Sequence, residues 1–339
     1  MNRSSSQRPA TDDVDETIGP HARLKLAEPH LQVIAALFDR LWGQYCRRVQ
    51  YARVFNDLLA QAGLSFANDH IAFRTIGMQQ PYGGIASVAR PLEALGYQSA
   101  ACYSFPDKHL NAVHLHPPHP ELPKIFVSEL QTWRLSDKAQ SIIRSSLSTY
   151  RPQLSLDLLT QLHRLREPAS GRTKAATKGD AAARSEVVNQ LVRYFTGLPW
   201  DPPQKNDVVE LNRESQYAAW VLVHGYNVNH FTASVNAQRH RQWDTLEKTV
   251  QQVRQGGIPV KPEIEGAAGS KLRQSASEAV VIDVPVMHEG NLTTIPWSYA
   301  YLEFAERGSI ADPETGRPVR FEGFLGGQAT HLFEMTKRP

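Results

Sequence analysis

Cysteine is nearly absent: the 339 residues contain two, Cys46 and Cys102, far apart in the chain. Two thiols build neither a disulfide framework nor a Cys-type zinc site, and a reducing compartment is expected. Long apolar runs are missing too. Even "AAWVLV" stops at His224, far short of a membrane span, so no membrane role is expected. The opening "MNRSSSQRPATDDVDETIG" has no apolar core and soon turns acidic, which suits neither a secretory signal nor a transit peptide. Cytoplasmic residence is the expectation.

A dispersed excess of one charge is also lacking. The net charge is +3, and residues 166–184 hold Arg166, Arg172, Lys174, Lys178 and Arg184 against Glu167 and Asp180, so this one stretch carries the whole excess. Nucleic-acid binding needs a basic face on the folded body and is not expected. The remaining composition, 41% hydrophobic and 21% charged, is that of an ordinary globular enzyme or binding module.

The pattern predicts a disordered start over 1–25 and one catalytic domain over 26–335. "EPHLQVIAALFDRLWGQY" places Pro29 at a first helical position, with Leu31, Ile34, Leu37, Phe38, Leu41 and Trp42 on one stripe. A second helix ends at Gly63, a natural C-terminal cap. Over 66–130 the texture changes to strand, helix and three further strands, beginning with "NDHIAFRTI" and ending near "KIFVSEL". Residues 136–224 read as a helical insertion capped by Ser136, interrupted by a basic, small-residue linker over 168–185. From 228 to 307 the earlier order returns. "NDHIAFRTI" aligns with "NVNHFTASV", and "LEALGY" with "VRQGGI". The fold class expected is α+β, a duplicated βαβββ core whose curved sheet surrounds a cup, with added helices.

His70 and Arg74 are four apart, which on a strand of period two sets both on one face. A lone strand histidine is ordinarily a core or edge residue, so partners must come from elsewhere. The repeat supplies them: His230 on the first strand of unit two and Glu303, in "YLEFAER", on its last strand. Two histidines and one carboxylate with open positions form the set that suits non-haem Fe(II).

"NDHIAFRT", "PKIFVSEL", "HGYNVNHFT", "EGAAGSKLRQSASEAV" and "YLEFAERG" together resemble the 2-oxoadipate dioxygenase/decarboxylase family of the vicinal oxygen chelate superfamily, over roughly residues 30–335. The resemblance implies an Fe(II) enzyme that uses O₂ to turn 2-oxoadipate, a small 2-oxo diacid, into 2-hydroxyglutarate and CO₂ late in lysine breakdown. It implies metal ligands at His70, His230 and Glu303, and a substrate-clamping arginine at Arg74. The residues gripping the far carboxylate are not fixed by it.

Rival readings stand beside these. His114 and His116, with His109 and His119 nearby, form a His-x-His pair, but no acid accompanies them and an exposed hairpin edge is the simpler reading. His224 competes with His230 and is kept as a residue behind the ligands. Glu129 is expected in unit one at the slot that Glu303 fills in unit two, lining the pocket, or else paired with Lys124 or Arg134. "EGAAGSKLRQSASEAV" lacks nucleotide-site spacing, and Lys271, Arg273 and Gln274 suit a loop closing over an anionic substrate. A glyoxalase-like lyase or isomerase using both carboxylates and a non-enzymatic ligand-binding module are the alternatives.

Overall fold

The computed structural model describes residues 19–77, 83–167 and 178–325. Residues 1–18 of the expected disordered start lie outside these, while 19–25 are placed, with His21 Nδ1 2.8 Å from Asp39 Oδ1. Two helices lead in, α1 (Pro29–Arg48) and α2 (Gln50–Gln61). Pro29 opens α1, and the entire predicted stripe from Leu31 to Trp42 is buried. Gly63, at φ 71°, ends α2 by letting Leu64 N–H turn back to the Leu59 carbonyl at 2.8 Å.

Unit one follows as β1 (Asn68–Ile76), α3 (Ile85–Ala94), β2 (Gln98–Phe105), β3 (Leu110–His116) and β4 (Lys124–Leu130). The insertion comprises α4 (Asp137–Leu147), α5 (Leu156–Arg164), α6 (Lys178–Thr196), α7 (Lys205–Glu214) and α8 (Gln216–His224). Ser136 caps α4 as expected, its Oγ accepting from Ala139 N–H at 3.2 Å. Of the expected linker, 168–177 lie outside the described residues and 178–185 belong to α6.

Unit two is β5 (Val228–Ser234), α9 (Leu246–Gln255), β6 (Leu272–Ala276), β7 (Val281–His288), β8 (Asn291–Ser298) and β9 (Tyr301–Arg307), after which β10 (Ser309–Ala311) and β11 (Pro318–Arg320) form a small hairpin. Here the duplication is imperfect. β7 and β8 leave the main sheet and form a hairpin of their own, so the seven-stranded order is β2-β3-β4-β1-β5-β9-β6. The result is α+β, a curled half-barrel with β1 and β5 antiparallel at its centre, each flanked by the parallel last strand of its own unit.

The main core lies on the outer face. Trp42 and Tyr45 of α1 each meet the Phe231 ring at 5.0 Å between centroids, and Phe55 of α2 meets Phe304 at 5.2 Å. Burying such aromatics contributes roughly 2–3 kcal/mol apiece. On β5 and β9 they alternate with the residues that face the cup, so one strand pattern supplies both core and site. α8 closes one end of the cup, stacking Tyr217 and Trp220 over the Arg74 guanidinium at 5.1 and 5.4 Å.

Candidate metal centre

The two central strands place their histidines equivalently: His70 is the third residue of β1 and His230 the third of β5. Sheet register then completes the cluster. His70 pairs with Thr232 across β1 and β5, and Thr232 pairs with Glu303 across β5 and β9, so His70, Thr232 and Glu303 form one row on the cup face. His230 stands one pleat away on the same face, beside Ala72 and Tyr301. One ligand atom from each of His70, His230 and Glu303 falls within 4.8 Å of the others, and all three residues are buried. Among the described residues this is the one such group.

Each ring is aimed from behind by the residue before it. Asp69 Oδ1 lies 2.8 Å from His70 Nδ1, and Asn229 Oδ1 lies 3.1 Å from His230 Nδ1. Both Nε2 atoms therefore face Glu303, at 3.2 Å from Oε1 for His70 and 3.5 Å from Oε2 for His230. Gln274 donates to Glu303 Oε1 at 2.7 Å, and the Thr232 hydroxyl donates to the same oxygen at 3.2 Å. Glu303 Oε2 is buried without a hydrogen-bond partner. Two imidazoles whose Nε2 atoms converge on one carboxylate, with a carboxylate oxygen left over, are what a divalent cation requires, so the residues fit a metal.

The electrostatics agree. Burial pushes the His230 imidazole down to about 3, which keeps it in the neutral, metal-binding form. Burial pulls His70 the same way, but its hydrogen bonds to Asp69 and Glu303 win and raise it. Burial would raise Asp69, yet the Arg307 guanidinium, with Nε and Nη2 both 2.7 Å from its oxygens, holds it well below the carboxylate range. Glu303 is likewise lowered, against burial, by His230 and His70.

The cavity over this cluster is lined by His70, Arg74, Phe126, His230, Tyr301 and Phe324, among others. Arg74 is 2% exposed and shares the cup face with His70, as the spacing predicted. Phe324 sets its ring edge-on to His70 at 4.8 Å between centroids and forms part of the cavity wall.

Other expectations come out differently. Glu129 is not the counterpart of Glu303. The pairing that relates Glu303 to Thr232 relates Phe126 to Ala72, so Phe126 fills that slot, and Glu129, three residues on, points to the other face. There Glu129 Oε2 accepts from Ile85 N–H at 2.9 Å and caps α3. Arg273 alternates with Gln274 and so turns away from the cup, its Nη1 3.0 Å from Glu306 and 3.2 Å from Glu247. Lys271 sits 5.9 Å from the centre of the Phe321 ring, outside the cavity lining. His224 is a packed core residue whose Nε2 donates to the Ser298 carbonyl at 2.9 Å. His114 is buried rather than exposed, with Nδ1 2.9 Å from the Tyr103 hydroxyl. Sequence reasoning missed Asp69, Asn229 and Thr232, although "DH" and "NH" ahead of both ligands carried the signal.

A curled seven-stranded sheet gathering two histidines and a carboxylate at its centre places the chain among half-barrel α+β folds with a buried three-residue metal-binding set. A solved structure described as a putative glyoxalase superfamily protein from Ralstonia eutropha JMP134 superposes with a TM-score of 0.72 at 24% identity, covering 88% of this chain and 87% of that one. More specifically, residues 49–325 match the family model described as 2-oxoadipate dioxygenase/decarboxylase, and the chain belongs to that family. The Arabidopsis thaliana protein named 2-oxoadipate dioxygenase/decarboxylase, chloroplastic, is 30% identical over 79% of this chain and 67% of its own length. The structure of the Oryza sativa hydroxyglutarate synthase in complex with 2-oxoadipate superposes with a TM-score of 0.70 at 26% identity, covering 98% of both chains. No helix among the described residues is long and apolar enough to cross a membrane.

Proposed function

We propose that this enzyme binds one Fe(II) through His70, His230 and Glu303 and uses O₂ to convert 2-oxoadipate into 2-hydroxyglutarate and CO₂, in the cytoplasm and late in lysine breakdown. The balance closes without a second organic substrate. One oxygen atom completes the new carboxylate as C1 leaves as CO₂, and the other becomes the hydroxyl on the adjacent carbon. When bound, the iron supplies a Lewis acid for the 2-oxo acid and a redox centre for dioxygen.

The protein's own groups do the rest. Asp69 and Asn229 fix the imidazoles so that their Nε2 atoms converge. Thr232 and Gln274 hold Glu303 Oε1 in one orientation. Arg74 presents a planar fork suited to a carboxylate, stiffened by Tyr217 and Trp220. Phe126 and Phe324 keep water from the reacting carbons.

The observation that carries this reading over a proton-shuttling isomerase is Phe126. Where a second carboxylate would complete a two-acid metal site, an apolar ring stands, leaving a three-residue set with positions open to substrate and oxygen. Protein loaded anaerobically with Fe(II), then given 2-oxoadipate and O₂, is expected to release CO₂ and consume O₂ one to one. Turnover without O₂, or a requirement for a separate 2-oxo acid co-substrate, would overturn it.

A further inference from the structure

Among the described residues, Glu265 alone buries both of its carboxyl oxygens without a hydrogen-bond partner. Its backbone explains where that side chain goes. Glu265 and Gln274 exchange both hydrogen bonds of an antiparallel bridge, N to O at 2.9 and 3.0 Å, so their side chains share a face. Gln274 lines the cavity and donates to Glu303. Glu265 therefore stands on the cup face one position beyond β6, next to the lining residue Gln274 and just outside the cavity lining itself, roughly 10 Å, or two strand spacings, from the backbone of β9. Gly266 makes the bridge possible: at φ 90° it turns the chain where a Cβ would come within 2.6 Å of the Leu272 carbonyl oxygen.

We propose that Glu265 is a specificity-determining residue of this site, its carboxyl group hydrogen-bonding the substrate carboxylate remote from the 2-oxo group. This rests on the 2-oxo diacid reading above and names the residue that distinguishes a diacid from a monoacid. The chelating end of such a substrate lies at the histidines and Glu303, so the far end must reach along the cup wall. An ionised Glu265 would repel it. Burial, reinforced by Glu303 of β9 and Glu263 of the same loop, pushes the Glu265 carboxyl up to about 8, and the Tyr301 phenol lies within electrostatic reach of it. At neutral pH it is thus a neutral acid with a proton to donate and no charge to oppose the substrate. Its unpartnered oxygens are otherwise a cost that the fold leaves uncompensated.

The test compares 2-oxoadipate with 2-oxohexanoate, which has the same chain length and no remote carboxylate. Anaerobic binding is read by calorimetry on Fe(II)-loaded protein, and kcat/KM by oxygen consumption. Glu265→Leu is expected to weaken 2-oxoadipate about tenfold or more in both readouts, the scale of a hydrogen bond to a charged group, while leaving 2-oxohexanoate unchanged. Glu265→Gln keeps a donor and the shape, and should retain most of the diacid affinity at pH 7. Equal losses for both compounds, or none for either, would overturn the assignment. Wild-type protein that binds the diacid without consuming oxygen would sink the proposed reaction instead, with the Glu265 discrimination still readable by calorimetry.

Discussion

Asp69 sits between two partners, with Oδ1 2.8 Å from Nδ1 of the ligand histidine His70 and both oxygens held by the Arg307 fork at 2.7 Å. Its counterpart in the second unit, Asn229, makes the same contact to His230 with a neutral amide, at 3.1 Å. The duplication has therefore kept the geometry of histidine orientation and varied its charge. Only one imidazole is backed by a carboxylate, which makes it the more basic ligand.

Asp69→Asn retains a hydrogen-bond acceptor for His70 and removes the charge. Iron affinity is expected to fall by about 10- to 100-fold, short of the full loss produced by His70→Ala. Competition against a chelator of known affinity measures this. Unchanged affinity would show that Asp69 serves Arg307 alone. The variant should also lose stability, by about 3–5 kcal/mol at most, because Arg307 is left buried without its counter-charge.

The two glutamates separate by role. Glu303→Gln should lose metal and activity together. Glu129→Gln should retain iron and turnover, and cost stability on the scale of a helix cap, about 1 kcal/mol, because it weakens the contact to Ile85 N–H. Iron content and thermal melts of the two variants check this. Loss of iron in Glu129→Gln would restore the two-carboxylate reading.

How much of this was legible in the sequence depends on what a strand pattern encodes. Period-two alternation and the repeated histidine set His70, Arg74 and His230 correctly on one face, because face is a property of a single strand. Equating Glu129 with Glu303 failed because that equivalence depends on register between neighbouring strands, which tertiary packing decides. The same limit applies to Arg273 and Gln274. Alternation shows that they face opposite ways, but which one looks inward follows from β6 pairing with β9. The β7–β8 excursion was hidden for a similar reason: "VIDVPVMH" reads as a strand whether or not it joins the main sheet.

Arg74→Lys keeps the positive charge and loses the fork and the flat stacking on Tyr217 and Trp220. We expect kcat/KM for 2-oxoadipate to fall about tenfold or more, mainly through KM, with iron content unchanged. Near-normal kinetics in Arg74→Met would remove Arg74 from substrate binding and make it a structural cation of the α8 contact.

His224 provides a test of stability that is independent of the metal. Its ring is buried between Trp220 and Tyr299, with centroids at 4.7 and 4.9 Å, and burial pushes it down to about 3. In the unfolded chain the same imidazole titrates near 6.5. As pH falls below 6.5 the unfolded state takes up a proton that the folded state refuses, so folding stability drops with acidity and levels only near pH 3. Above 6.5 neither state is protonated, and this residue adds no pH dependence. Between pH 7.5 and 5 the loss amounts to about 2 kcal/mol for one such group. His224→Gln cannot titrate. It should be the less stable protein at pH 7.5, through lost ring packing, and should close the gap to wild type by about that amount at pH 5. Urea unfolding at the two pH values, at matched metal content, measures the difference directly, since His114 and His230 contribute equally to both proteins and cancel. Parallel pH dependence in the two proteins would mean that His224 is protonated in the fold, and the neutral ring donating to the Ser298 carbonyl would have to be abandoned.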